Sequence, residues 1–380
     1  MATVEHVVPV AEGVDLWVEE RGDPAAPVVL LVMGANASGL TWPEELVDRL
    51  ARRYRVVRYD HRDTGRSSRA FDERPYALRD LAGDAVRVLD ALGVERAHVV
   101  GMSMGGVLVQ LLLLDAPQRL RSATVFATAA LGAGLADTTG AGELPGPAPE
   151  LLQLWQELGA ERDEDAELAW RVEHWRVLNG PDAPFDPEEF RELERRVAAH
   201  SGTWRSPTAH ALADPSGLER GAELAAVGVP VLVVEAPADP VNPPPHARHL
   251  AEVVGSARLV TVPGMGHALP RSVLGPLADA LEEHVDAVEA GDRPVASAGP
   301  YRDVSSGPRT FVPVEEVAGA LRPLGDGKAD ELRRTLDEHV DTDVEDPFER
   351  HAALERGGLG DEGDEGDEAA APEPPHHRAR

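Results

Sequence analysis

The sequence predicts an α/β fold: a mostly parallel, doubly wound sheet with a helical cap, followed by an acidic, partly disordered C-terminal extension. Three observations lead there. First, six short and nearly continuous apolar runs suit strands buried on both faces of a parallel sheet: PVVLLVMG at 27–34, YRVVRYD at 54–60, AHVVGMS at 97–103, LRSATVFAT at 120–128, VPVLVVEA at 229–236 and ARLVTVPG at 257–264. Second, helical stretches alternate with them, PEELVDRLARR at 43–53, ALRDLAGDAVRVLDALG at 77–93 and VLVQLLLLDAP at 107–117, which is the pattern of a doubly wound sheet. Third, about 100 residues separate the fourth run from the fifth, far more than a crossover requires. Ahead of the sheet, EHVVPV and VDLWVEER resemble an antiparallel opening hairpin.

These elements divide the chain into a core at 1–139 and 218–290, a cap at 140–217, a linker with short helices at 291–357 and a tail at 358–380. In the cap, LLQLWQEL, DAELAWRVEHWRVLNG and PEEFRELERRVAAH show helical spacing. Trp155, Trp170, Trp175 and Trp204 are four of the six tryptophans in the chain. They either bind cap to core or face a flat, hydrophobic substrate; both readings stay open. In the extension, Val312, Val314, Val317, Leu321, Leu332 and Leu336 mark two amphipathic segments separated by Pro323, Gly325 and Gly327. Residues 312–340 are thus a candidate surface for docking or self-association. The last 23 residues or so, with their DEGDEGDE repeat, lack apolar periodicity and are expected to be disordered.

Composition narrows the function. Lysine and arginine number 37 against 67 acidic residues, a net charge of −30, which repels phosphate backbones and anionic lipid surfaces. Neither nucleic acid nor membrane is an expected partner. Cysteine is absent, which excludes disulfides, thiolate catalysis and cysteine metal sites. The opening MATVEHVVPVAEG has no basic and apolar leader pattern, and no run approaches the roughly 18 apolar residues of a membrane span, so a cytoplasmic protein is expected.

The stretch VVGMSMGG at 99–106 carries the chemistry. A strand, a Gly-x-Ser-x-Gly-Gly turn and a helix put Ser103 at a strand-to-helix corner on the carboxyl edge of the sheet, where open α/β sheets bind ligands. A nucleophilic serine needs a base, and the base an orienting acid. Asp239 follows the fifth run and His267 the sixth, both on loops at that edge. Glu235 is a rival acid, but it belongs to the strand, whereas Asp239 is free to turn toward His267. Donors for an oxyanion are expected from the N–H of Met104 and from the loop Gly34-Ala35-Asn36-Ala37, in the region of Gly34 and Ala35. In DHRDTGRS at 60–67, Asp60, Arg62 and Asp63 read as loop bracing. His246 and His249 form H-x-x-H without a third ligand, so no metal is expected. Gly264 to His267 lacks the spacing of a nucleotide fingerprint, and no cofactor is implied.

The stretches LLVMGANAS, VVRYDHRDTGRSS, AHVVGMSMGG and VPGMGHALP closely resemble α/β-hydrolases of the aclacinomycin methylesterase type, over about residues 1 to 290. That resemblance implies Ser103 as nucleophile, His267 as base, Asp239 as its partner, and Gly34 and Met104 as oxyanion donors. It also implies a small hydrophobic ester as substrate, with no cofactor. Many members of the superfamily carry His-Gly after the oxyanion strand; here the pair is Met33-Gly34, as in the methylesterase type. The same three residues also suit cofactor-free haloperoxidase, perhydrolase or C–C hydrolase chemistry, and the scaffold also suits a ligand receptor with vestigial hydrolysis.

Overall fold

The computed structural model describes residues 3–133, 144–205 and 207–291. The segments expected at 312–340 and 358–380 lie outside the described residues. The hairpin β1 (Thr3–Ala11) and β2 (Val14–Arg21) comes first. Then come β3 (Val28–Val32), α1 (Glu44–Leu50), β4 (Arg55–Tyr59), α2 (Leu78–Ala91), β5 (Ala97–Met102), α3 (Met104–Asp115) and β6 (Leu120–Phe126). Helices α4 (Pro149–Gln156), α5 (Glu164–Asn179), α6 (Pro187–Ser201) and α7 (Ala209–Leu212) intervene before β7 (Val231–Glu235), α8 (His246–Val253), β8 (Ala257–Thr261) and α9 (Arg271–Glu289).

The eight strands lie in the order β1-β2-β4-β3-β5-β6-β7-β8. β2 pairs antiparallel with β1 and β4, and every other pairing is parallel. β3, β5 and β7 are buried along their whole length, which is why their sequences run apolar without alternation. On the edge strand β1, Val7 is 69% exposed.

Both faces of the sheet are covered. On one, Leu46, Val47 and Leu50 of α1 and Leu277 and Leu281 of α9 join Leu31, Val100 and Leu232 in a single core. α2 and α3 pack on each other, α3 lies against β3, β5 and β6, and α8 lies against β7 and β8. α3 is buried almost all round, as its run of leucines requires, and its polar member Gln110 is fully satisfied. Gln110 Nε2 donates to Ala129 O at 2.9 Å, and its Oε1 accepts from Leu131 N at 3.0 Å. Leaving such an amide unpaired costs about 1–3 kcal/mol.

Between β6 and β7, α4, α5 and α6 form where the spacing places them, with capping residues on α5 and α6, and α7 is a short addition the spacing does not mark. Asp163 accepts from Ala166 N at the start of α5, which stops at Gly180 with φ +72°. Pro187 opens α6 behind Asp186, and left-handed Gly202 closes it. His200 at the end of α6 ties this insertion to the sheet through a 2.7 Å bond to Asp60, and its ring meets that of Trp17 in a T-shaped contact. Among the described residues no helix is long and apolar enough to cross a membrane.

Candidate active site

Ser103 sits between β5 and α3 with φ +56° and ψ −124°, a strained conformation for a residue with a side chain. The glycines around it make the corner this sharp. A Cβ on Gly105 would lie 2.1 Å from Val32 O, so the first turn of α3 can press against β3 only without one. A Cβ on Gly101 would fall 2.3 Å from Gly105 O. This explains a departure from the expected boundary: α3 starts at Met104 rather than at 107, taking Gly105 and Gly106 into its first turn.

His267 follows β8 and Asp239 follows β7, and the structure brings both to Ser103. His267 Nε2 is 3.0 Å from Ser103 Oγ, and His267 Nδ1 is 2.9 and 3.0 Å from the two oxygens of Asp239. Because a carboxylate only accepts, Nδ1 carries the proton, and Nε2 is left to accept from the serine hydroxyl. Val241 N and Asn242 N also donate to Asp239 Oδ1, at 2.7 and 3.1 Å, which fixes the carboxylate. Asp239 and His267 are buried, whereas Ser103 keeps access to the cavity above it. Glu235 is bound elsewhere, by Thr261 Oγ1 at 2.7 Å.

Gly34 faces the serine: a Cβ built on it would sit 3.1 Å from Ser103 Cβ. Its N–H and that of Met104 have no acceptor among the described residues. The loop that carries Gly34 is braced from several sides. His61 Nε2 donates to Met33 O at 3.0 Å, and Asp60 accepts from Ser38 Oγ and Gly39 N at 2.6 and 2.7 Å. Burial alone raises the pKa of Asp60, but its bonds from His200, Ser38 and the Arg66 N–H hold it below the usual value. Arg62 forks onto Asp84 at 2.6 and 2.7 Å, and Asp63 accepts from Tyr76 and the Ala70 N–H. DHRDTGRS is therefore structural bracing.

A residue that the sequence did not single out completes this frame. His210 of α7 accepts from Asn36 N on Nδ1 at 2.8 Å and donates from Nε2 to Arg62 O at 2.9 Å. Burial first, then His61, pushes its pKa down to about 3, so the ring stays neutral and keeps its acceptor for the loop. A lone histidine in a short, weakly periodic segment carries no pattern that points to this.

Above Ser103 opens a cavity of about 460 Å³. Its walls include Trp155, Trp170, Trp175 and Phe190 together with Ser103 and His267. Trp204, expected beside the other three, is not part of the lining: it packs against the Arg171 guanidinium, 5.9 Å from its ring centroid, and its carbonyl accepts from the same group. His246 Nε2 bonds to Pro145 O at 2.9 Å, and its Nδ1 has no hydrogen-bond partner among the described residues.

A family model described as alpha/beta hydrolase fold matches residues 27–270. The chain belongs to that family. Two relatives are 47% identical over 285 residues, 72% of this chain and 96% of theirs: rhodomycin D methylesterase DauP of Streptomyces sp. (strain C5) and rhodomycin D methylesterase DnrP of Streptomyces peucetius. Among solved structures, a hydrolase from Pseudomonas aeruginosa PA01 superposes with a TM-score of 0.57 at 27% identity, covering 74% of this chain and 98% of that one. The protein is thus an α/β-fold hydrolase, similar to methylesterases over nearly their whole length.

Proposed function

We propose that the protein hydrolyses a carboxylic ester through Ser103, His267 and Asp239, and that the ester is the methyl ester of a flat, hydrophobic acid. The carrying observation is the continuous relay from Asp239 through His267 to the hydroxyl of a strained serine that opens into an aromatic-walled cavity. Similarity to two methylesterases supports methanol as the leaving alcohol.

The Ser103 hydroxyl gives its proton to His267 Nε2 as its oxygen attacks the ester carbonyl. The N–H groups of Met104 and Gly34 stabilise the oxyanion, helped by the positive end of α3. Asp239 holds the Nδ1–H tautomer and stabilises the imidazolium. The C–O bond to the alcohol then breaks, and the leaving oxygen takes the proton from Nε2. A water molecule, deprotonated by the same nitrogen, attacks the acyl-enzyme; Ser103 Oγ leaves, recovers the proton, and the acid departs. The helices between β6 and β7 act as a cap, and their tryptophans hold the acyl portion.

The test is covalent labelling by a fluorophosphonate, read by intact mass, in wild type, Ser103→Ala and His267→Ala, beside turnover of aromatic methyl esters. One adduct on wild type and none on Ser103→Ala is expected. A folded wild type without an adduct would count against an activated serine.

A further inference from the structure

His174 stands on α5 in the wall of the cavity, and nothing in the reaction scheme uses it. Three contacts define its state. Trp155 Nε1 lies 3.1 Å from His174 Nε2. An indole nitrogen donates and never accepts, so Nε2 must present its lone pair, and the ring hydrogen belongs to Nδ1. The ring of Trp170, one turn earlier on the same helix, stacks on His174 at 5.3 Å with 26° between planes, fixing the orientation of the imidazole. Among the described residues Nδ1 has no hydrogen-bond partner and is not one of the sealed, unpartnered nitrogens, and the residue is partly accessible where it lines the cavity.

The face of α5 that bears His174 also fronts the base. Leu178, four residues on and therefore on the same side of the helix, accepts from His267 N at 2.7 Å through its carbonyl and also lines the cavity. One helical turn thus separates the group that anchors the His267 loop from a histidine that lines the binding space.

We propose that His174 Nδ1–H is a specificity donor, which pairs with an acceptor oxygen on the acyl part of the substrate while Trp155 and Trp170 hold the ring in the donating tautomer. The assignment rests on the esterase reading above and concerns the role of His174 alone: among flat esters of equal size, it favours one with an acceptor oxygen away from the scissile bond over an all-carbon ring. Burial, followed by the charges of His267 and Arg171, pushes the His174 pKa down to about 4, so the neutral donor persists through the working range of an esterase.

The test compares methyl anthraquinone-2-carboxylate with methyl anthracene-2-carboxylate, two tricyclic esters of equal outline that differ in their ring carbonyls. Binding is measured by titration calorimetry in the full-length Ser103→Ala protein, where no turnover occurs, with and without His174→Phe, which keeps a stacking ring and loses the donor. The anthraquinone ester is expected to bind about tenfold tighter than the anthracene ester with His174 present, and the two are expected to bind alike in the His174→Phe protein. Trp155→Phe, which releases Nε2 and lets the proton move between nitrogens, is expected to remove part of the preference. An equal preference with and without His174, or none in either protein, overturns the proposal. Turnover of both esters by wild type tests the esterase reading separately, so the two failures are distinguishable. Folding of each variant is checked by near-ultraviolet circular dichroism.

Discussion

Gly105→Ala tests whether the close approach of α3 to β3 sets the geometry of the serine corner. The added Cβ would lie 2.1 Å from Val32 O, 2.7 Å from Met33 O and 2.8 Å from Val32 C, all backbone atoms that cannot rotate away. Side-chain carbons essentially never come within 3.0 Å of such atoms, so helix and strand must part by about 1 Å. That displacement moves Ser103 and the Met104 N–H on one side and Gly34 on the other, the groups that must converge on one carbonyl. Misplacing reacting groups by about 1 Å costs on the order of 100-fold, so kcat/KM for a methyl ester is expected to fall by about two orders of magnitude. The overpacking is also expected to destabilise the fold by about 1–3 kcal/mol. Gly275→Ala in α9 is the control, because its Cβ meets nothing within 4 Å and alanine favours a helix interior by about 1 kcal/mol. The assay is initial-rate hydrolysis together with thermal unfolding. A Gly105→Ala enzyme within threefold of wild type, at unchanged unfolding temperature, refutes the reasoning.

Asp239→Asn keeps the shape of the relay but frees the wrong tautomer of His267, and kcat is expected to drop on the order of 10³- to 10⁴-fold with little change in stability, read by steady-state kinetics. His210→Phe removes the acceptor for Asn36 N and the donor to Arg62 O, so the loop bearing Gly34 loosens; kcat is expected to fall about tenfold or more while fluorophosphonate still labels Ser103. His210 and His284 have pKa values pushed by burial from 6.5 to about 3 and about 4; for His284 the charges of Arg258 and His98 add to the shift. The unfolded chain therefore binds more protons below 6.5, and the stability these residues contribute is complete above that pH and lost as pH falls toward 4. Urea unfolding at several pH values checks this, and a curve that stays flat between 6.5 and 4 contradicts it. His284→Leu, which removes this buried ring, is expected to flatten part of that slope.

The strands, the serine corner and the order of acid and base were legible because each leaves a local mark. A doubly buried strand is apolar along most of its length, a tight corner must discard its Cβ atoms, and residues on loops after successive strands reach the same sheet edge. Bracing contacts leave no such mark. His210 and His174 are single histidines whose partners lie at distant positions or depend on how the inserted helices dock: Asn36 is 174 residues from His210, and Trp155 is 19 from His174. The pair Trp170 and His174 is the exception, because four residues on a helix is one turn, and stacking at that spacing could be read from WRVEH. Trp204 shows the opposite case. Its composition matched that of a substrate wall, but it follows the end of α6 beyond Gly202, where the Arg171 side chain meets it first.

Gly266 shows how far the insertion and the chemistry depend on each other. In the sequence, the stretch Gly-Met-Gly-His supplies the base His267, but its glycines carry no reading beyond failing as a nucleotide fingerprint. In the structure, a Cβ on Gly266 would meet Asn179 O at 2.2 Å and Leu178 O at 2.8 Å, so the end of α5 lies directly on the loop that presents the base. The loop of the acid is held the same way, since a Cβ on Gly180 would come within 2.3 Å of Ala238 O. α5 thus clamps the neighbours of both Asp239 and His267 while its other turns form the cavity wall. A change that reshapes this helix for a different substrate also shifts the relay, so altered specificity in α5 variants is expected to appear in kcat as well as KM. Gly266→Ala isolates the clamp, because the three atoms nearest its added Cβ are all backbone atoms of Leu178 and Asn179. It is expected to lower kcat for both tricyclic esters by the same factor and to leave the ratio of their Kd values intact. A change in that ratio with kcat preserved would show that the contact serves recognition alone.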